Sequence, residues 1–311
     1  MAQYQPTKRP IEDRYSVHFD EARDRLILGV YDGHGGTSAA EYVSEELPAQ
    51  LLQEPPSAHT SVFQQMDDSM VGAFLKDHSV MRIKSDQWIQ HAQNVRSGCT
   101  ALVCDIDLRS LAATVSNAGD CRLVVCHLDR KEPQKPMSVR YETLDLNAKT
   151  PSEQERIKTE HPNEDSVIVG GRLFGKLMST RGFGDGYYKF PLKGMLGKWS
   201  HRRYIDALSE IEQPGKVPMN AQYDIYFDKY QTPPYVTARP ESGTITILPS
   251  DVMILASDGL WDLISSQELA LLITEIHAQA SGNSAVQLLQ RVMDAKSPGD
   301  DVTILIFQTE G

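Results

Sequence analysis

Short apolar runs that end in an acidic residue beside glycine most constrain what this 311-residue chain can fold into. Leu26-Ile-Leu-Gly-Val-Tyr31 reads as a buried strand closed by Asp32-Gly33. Similar acidic steps recur as Glu12-Asp13, Gly119-Asp120, Gly184-Asp185, Asp258-Gly259-Leu260-Trp261-Asp262 and Gly299-Asp300-Asp301. A carboxylate at the end of a buried strand is held rigidly while its head reaches a cleft. An adjacent glycine lets the backbone, its carbonyl included, come close to a bound ion. Taken singly, an Asp-Gly pair is an ordinary turn. Several converging carboxylates, however, repel one another, and divalent cations relieve that repulsion. Oxygen-only ligands select hard ions such as Mg²⁺ and Mn²⁺ over Zn²⁺.

The rest of the chain supplies more strands and several helices. Thr100–Ile106, Leu111–Ser116 and Arg122–Leu128 read as strands, separated by Asp107-Leu-Arg-Ser110 and Asn117-Ala-Gly-Asp120. Links this short suit antiparallel pairing, because a parallel crossover needs a dozen residues or more. Thr244–Leu248 and Val252–Ala256 read as a further hairpin around Pro249-Ser250, and Val302–Phe307 as the last strand. After Asp32-Gly33, Ser38-Ala-Ala-Glu41 has capping-box spacing, and Ala40, Val43, Leu47 and Leu51 form one apolar stripe. Pro48 is expected to kink or end that helix early. Helices are also expected over most of 60–96, over 152–160 after Pro151, and over Gln267–Gln279 and Ala285–Ala295. Hairpins interrupted by helix pairs indicate an α+β layered fold rather than a doubly wound parallel sheet.

Composition narrows the function classes. With 40% hydrophobic residues the chain can bury a substantial core, and its net charge of −11 disfavours nucleic acid, whose backbone is gripped by clustered Lys and Arg. Cys99 and Cys104, like Cys121 and Cys126, are five apart, which points each pair to opposite faces of a strand. No CxxC is present, so four reduced core thiols are expected rather than a zinc knuckle. No apolar run is long enough to span a membrane, and the first residues lack the Arg- and Ser-rich pattern of a transit peptide.

Residues 186–240 stand apart. They are rich in aromatic, Pro and Gly residues, lack clear periodicity, and hold eight Lys/Arg against five Asp/Glu. The basic run Lys189, Lys193, Lys198, Arg202 and Arg203 would attract anionic targets to an otherwise acidic molecule. A long irregular insert of this kind is functional or disordered.

The order of the motifs carries a resemblance. Ile11-Glu-Asp-Arg14, Val30-Tyr-Asp-Gly-His-Gly-Gly36, Ser97-Gly-Cys-Thr-Ala101, Asn117-Ala-Gly-Asp-Cys-Arg122, Ser179-Thr-Arg-Gly-Phe-Gly-Asp185, Ala256-Ser-Asp-Gly-Leu-Trp-Asp262 and Gly299-Asp-Asp-Val-Thr303 resemble the successive motifs of the type 2C metal-dependent protein phosphatases. Pro10-Ile-Glu-Asp-Arg14, the insert after Asp185 and Pro233-Pro-Tyr-Val-Thr-Ala-Arg-Pro-Glu241 look most like pyruvate dehydrogenase phosphatases. The resemblance implies one domain over residues 1–311, an αββα sandwich of two antiparallel sheets flanked by antiparallel helix pairs, and hydrolysis of phosphoserine and phosphothreonine.

It further implies two Mg²⁺ or Mn²⁺ ions, with a weak third, and an attacking hydroxide between the two. Asp32 would bridge the metals, Gly33 would offer its carbonyl, and Asp258 and Asp300 would complete the set. Glu12, with Asp13 beside it, would act through waters, and Asp120 and Asp262 would join Asp258 at the third site. His34 would be the general acid, a task suited to a pKa near neutrality. Lys8 stands where many relatives carry a phosphate-gripping Arg, with Arg9 next to it; a Lys lacks the bidentate fork.

The implied partner is a phosphoprotein, a pyruvate dehydrogenase subunit among the options, with a mitochondrial location, or a cytoplasmic one if the short N-terminus is genuine. Eleven residues precede Glu12, so the family's first strand is either supplied by Gln3–Thr7 or lost by truncation, which would leave a sheet edge unpaired. Two other classes compete: a pseudophosphatase that binds phosphoproteins without turnover, and a two-metal nuclease or small-molecule phosphatase. The intact Asp32, Asp258 and Asp300 weigh against the first, the acidic charge against the second.

Overall fold

The computed structural model describes residues 1–7, 9–77, 85–132, 134–192, 197–209, 230–279 and 282–309. Two five-stranded antiparallel sheets form its centre. The first runs in the order Ala2–Tyr4, Val302–Gln308, Asp251–Ala256, Arg122–His127, Ser138–Glu142. The second runs Glu241–Thr246, Ala112–Ala118, Ala101–Asp107, Arg25–Tyr31, Arg14–Asp20.

Alternation of side chains along each strand explains the layers. Leu28 and Val30 pack between the sheets with Leu102, Cys104, Leu123 and Leu255, whereas Ile27 and Tyr31 face Val43 and Leu47 of the helix Ser38–Gln53. On the far side Val124, Ile254 and Ile304 meet Leu269, Ile273 and Leu288 of the helices Ser266–Gln279 and Ser284–Ala295. The order helix–sheet–sheet–helix is the αββα sandwich that the motif order implies. The same alternation separates the thiols: Cys99 and Cys104 fall in different cores, as do Cys121 and Cys126, and all four are free and buried.

Several local expectations are corrected. The helix Ser38–Gln53 does not end at Pro48. Val43, Leu47 and Leu51 are fully buried, and each contributes roughly 1.5–3 kcal/mol. Together they outweigh the ~3 kcal/mol cost of an interior proline. No capping box forms either: Thr37 is the N-cap, without a side-chain bond. The backbone N–H of Ala39 instead donates to Ser97 Oγ at 3.0 Å, and Glu41 pairs with Arg14.

Only the first of the short links joins paired strands. Asn117–Asp120 carries the chain from the second sheet to the first, because Ala112–Ala118 pairs with Ala101–Asp107 and Glu241–Thr246, while Arg122–His127 pairs with Asp251–Ala256 and Ser138–Glu142. Pro249-Ser250 is likewise a corner between sheets and not a hairpin turn. A short link brings strand ends close, but the buried faces decide which sheet each strand joins.

Of the two expectations for the start of the chain, the structure shows a strand: Ala2–Tyr4 pairs with Val302–Ile304. The insert also differs from its reading. A helix, Gly197–Ser209, lies within it, and Tyr187, Tyr188, Phe190, Tyr230 and Tyr235 are buried in the helix-side core. Lys189 belongs to that interior: its Nζ donates to Asp67 Oδ2 at 2.7 Å and to the Gly182 carbonyl at 2.8 Å, so it is no part of a basic surface. Arg202 is exposed and Arg203 half-buried, whereas Lys193 and the Lys198 side chain lie outside the described residues. No helix among the described residues is long and apolar enough to cross a membrane.

Candidate active site

Strand ends from both sheets meet at one end of the sandwich, around a cleft of about 550 Å³. Asp32 follows the central strand Arg25–Tyr31, and its carbonyl accepts from Thr100 N–H at 2.9 Å. Gly33 sits so close to the Glu12 carbonyl that any side chain there would overlap it, which is why the motif needs glycine at this step. Asp120 follows the corner at Gly119, whose φ of +146° a side-chain-bearing residue rarely adopts. Asp258 opens the short helix Asp258–Trp261 after the strand Asp251–Ala256. Asp300 and Asp301 precede the last strand.

The structure brings Arg9, Glu12, Asp32, Gly33, His34, Asp120, Asp258 and Asp300 to the walls of this cleft. It leaves two expected residues off them. Asp13 is buried beneath, accepting from Ser257 Oγ at 2.7 Å, because neighbours in extended chain point to opposite sides. Asp262 is exposed at the end of the helix Asp258–Trp261, where its N–H donates to the Asp258 carbonyl at 2.8 Å. Lys8 lies outside the described residues.

Three further groups of cleft residues were not among the expected site. Asp301 accepts from the Glu12 N–H at 2.6 Å and from Gln5, which fixes the turn that presents Glu12. Its doubling with Asp300 is the sequence signal that could have found it. Asp185 lies with both carboxylate oxygens 3.0 Å from His34 Nε2, and its Gly-Asp pair is one of the recurring acidic steps of the sequence. Arg96, Arg172 and Lys176 add positive charge to the cleft, and nothing in their local sequence announces it.

The electrostatics follow from this crowding. Burial pushes the Asp32 carboxyl well above its usual range, and the nearby charges of Asp258, Asp13 and Asp120 push it further. Burial likewise raises Asp258 to about 7, with Asp120 adding to it, and Asp13 to about 7 against the hydrogen bonds of Ser257 and Thr303. Asp32 and Asp258 each count the other among the causes of their shifts, so the two carboxylates stand close enough to feel one another. Among the described residues no Lys or Arg forms an ion pair with Asp32, Asp120 or Asp258. Burial disfavours the charged form of His34, but the Asp185 carboxylate outweighs it and holds the imidazole above its ordinary pKa.

Such a donor set, all oxygen and with no Lys or Arg ion-paired to Asp32, Asp120 or Asp258 among the described residues, fits hard divalent cations. Among the described residues no three His, Cys, Asp or Glu side chains already stand as a closed ligand group. The fit therefore rests on the chemistry of the donors and their shared cleft.

The αββα sandwich is an architecture that solved structures share. A serine-threonine phosphatase 2C from Toxoplasma gondii superposes with a TM-score of 0.57 over 98% of this chain and 92% of its own, at 17% identity. The chain belongs to the protein phosphatase 2C family, whose profile matches residues 8–298. It is 29% identical to a protein phosphatase 2C homologue of Schizosaccharomyces pombe over 86% of its length. It is 28% identical to the mitochondrial pyruvate dehydrogenase phosphatase 1 of Saccharomyces cerevisiae over 86% of its length, and to human pyruvate dehydrogenase phosphatase 2, mitochondrial, over 87%. The chain spans 60%, 49% and 60% of the length of these three relatives.

Proposed function

We propose that this cleft hydrolyses phosphoserine and phosphothreonine in a protein substrate, using Mg²⁺ or Mn²⁺. The observation that carries the reading is the convergence of Asp32, Asp120, Asp258 and Asp300 on one cleft, with no Lys or Arg ion-paired to the first three among the described residues. Asp32, the Gly33 carbonyl, Asp258 and Asp300 would hold two ions, with Glu12 acting through water and Asp120 available to a weaker third. When bound, the ions supply Lewis acidity toward phosphate oxygens and activate water for attack.

The chain's own residues do the rest. Arg9, Arg96, Arg172 and Lys176 orient the phosphate and the segments flanking it. His34 protonates the departing serine or threonine oxygen, which leaves poorly as an alkoxide. The sandwich and the segment 186–240 act as one catalytic unit in this reading. The names of the yeast and human relatives support a pyruvate dehydrogenase subunit as substrate and a mitochondrial location.

Hydrolysis of a phosphothreonine peptide with and without Mn²⁺, alongside the change in melting temperature on adding Mn²⁺, tests this. Metal-dependent turnover with metal stabilisation is expected. Stabilisation by Mn²⁺ without turnover would replace the enzyme reading with a phosphoprotein-binding one.

A further inference from the structure

The general acid assigned above needs its ring held in one orientation and one tautomer, and the structure contains a device that does so. His34 lies on the two-residue strand Gly33–His34, which pairs with Gly98–Cys99, which pairs in turn with Phe183–Gly184. In this register His34 stands opposite Gly98, and Gly98 opposite Gly184. Residues directly opposite one another share a face of the sheet. The side chain missing at Gly98 leaves a gap, and the contact between His34 Nε2 and Asp185 passes through it. A Cβ built at Gly98 would overlap both Asp185 Oδ2 and His34 Nε2.

Asp185 is itself held firmly. Its carboxylate is largely buried, and its backbone sits in the left-handed region at φ 52° with its N–H donating to the Ser97 carbonyl at 3.0 Å. The neighbouring Gly184 N–H donates to Asp67 Oδ1 at 3.0 Å, and Asp67 is tied to Lys189 at 2.7 Å. The Lys189–Asp67 pair thus anchors the strand that presents Asp185. Lys189, one of the basic run that the sequence suggests would attract anionic targets, supports the cleft from behind.

We infer that Asp185 is the positioning residue for His34, through a gap that only glycine at 98 leaves open. This deepens the proposed phosphatase reading and rests on it. A carboxylate has no hydrogen to give, so Nε2 is the donor to Asp185. Nδ1 is then the nitrogen that delivers the proton to the leaving oxygen and recovers one from solvent afterwards. Asp120 and Glu12 also act on the imidazole through their charge, but the hydrogen bond is made by Asp185.

The test pairs Asp185→Asn with Gly98→Ala. An amide can turn its NH₂ toward Nε2 and favour the wrong tautomer, so Asp185→Asn should lower kcat on a phosphothreonine peptide about 10- to 100-fold, with KM little changed. The loss on p-nitrophenyl phosphate, whose leaving group needs no proton, should be several-fold smaller. In a His34→Ala background Asp185→Asn should cost nothing further, since it acts through the histidine. Gly98→Ala should reproduce the split between substrates.

Nitrogen-15 NMR of the metal-free protein gives a readout apart from activity: His34 should carry its hydrogen on Nε2 in the wild type and lose that preference in Asp185→Asn. Equal losses on both substrates, additive losses with His34→Ala, or recovery at high Mn²⁺ would overturn the inference, the last by making Asp185 a metal ligand. If the wild type turns over no phosphoester, the proposed function fails, while the NMR result still decides whether Asp185 sets the tautomer.

Discussion

Two sets of carboxylates in this molecule live under opposite electrostatics. Glu153, on the helix Pro151–Glu160, accepts from Arg181 at 2.6 Å, Arg156 at 2.8 Å and Thr180 Oγ1 at 2.7 Å. Burial opposes its ionisation, but the bonds from Arg181 and Arg156 prevail and hold it at about 2. Asp105 is held below its usual range in the same way, against burial, by Arg25 and His59. At the cleft, half-buried Asp32 and Asp258 and buried Asp120 are all raised by burial, with carboxylate neighbours adding to it: Asp258, Asp13 and Asp120 at Asp32, Asp120 at Asp258, and Asp145 at Asp120. The fold pairs Glu153 and Asp105 with cations, whereas among the described residues no Lys or Arg is ion-paired to Asp32, Asp120 or Asp258.

The largest effect should come from Asp32→Asn, which keeps shape and removes charge. Turnover with Mn²⁺ should fall by roughly a thousandfold or more, the scale of several kcal/mol of lost metal catalysis. The metal-free protein should melt no lower than wild type, because an amide needs no counter-charge in that crowded site. Activity within about tenfold of wild type, or a melting temperature several degrees lower, would break the contrast.

On the structural side the sign reverses. Arg181→Met leaves Glu153 buried with Arg156 as its remaining cation, and should cost about 2–4 kcal/mol of stability in urea unfolding, a little under the loss of a sole partner. A change below ~1 kcal/mol would show that Arg156 alone suffices.

Acid titration sharpens the same point. The folded pKa of Glu153 lies below its ordinary 4.5, so its stabilisation is present above 4.5 and is lost as pH falls toward about 2. Unfolding free energies measured across that window should fall less steeply in Glu153→Gln than in wild type. Parallel curves would mean that the pair is absent in solution.

The smallest effect concerns cations outside the core. Where Lys189 is buried against Asp67, Arg202 is exposed on the helix Gly197–Ser209. Arg202→Glu with Arg203→Glu should raise KM for a phosphoprotein several-fold at low salt and less at high salt, as screening removes steering. The effect on p-nitrophenyl phosphate should be smaller. Protein kinetics indifferent to the reversal at low ionic strength would remove the steering role.

Most sheet strands, though not Arg14–Asp20 or Ser138–Glu142, most helices, and the gathering of eight expected residues at one cleft were legible because their signals are local. An apolar run ending in Asp32-Gly33, a stripe at Ala40, Val43, Leu47 and Leu51, and a proline opening the helix Pro151–Glu160 depend on residues within a turn or two. The misreadings arose where distant packing decided. Asn117–Asp120 and Pro249-Ser250 look like hairpin turns by length, and only the cores on either side show them to be corners between sheets. The insert hid its helix Gly197–Ser209 and its buried aromatic residues because their partners lie in Phe74, Phe174 and other elements far along the chain.

By itself the sequence determined the family, the α+β class, and which carboxylates stand at strand ends, since motif order and short-range periodicity are written in neighbouring residues. Only the tertiary structure decided that Glu12 faces the cleft while Asp13 is buried against Ser257, that Lys189 lies inside, and that Asp185 meets His34 across 151 residues of chain. Those outcomes depend on strand register and on an empty space at Gly98. Register and empty space exist only once the whole core has closed, because they are set by how buried faces fit together and not by the preferences of any one segment.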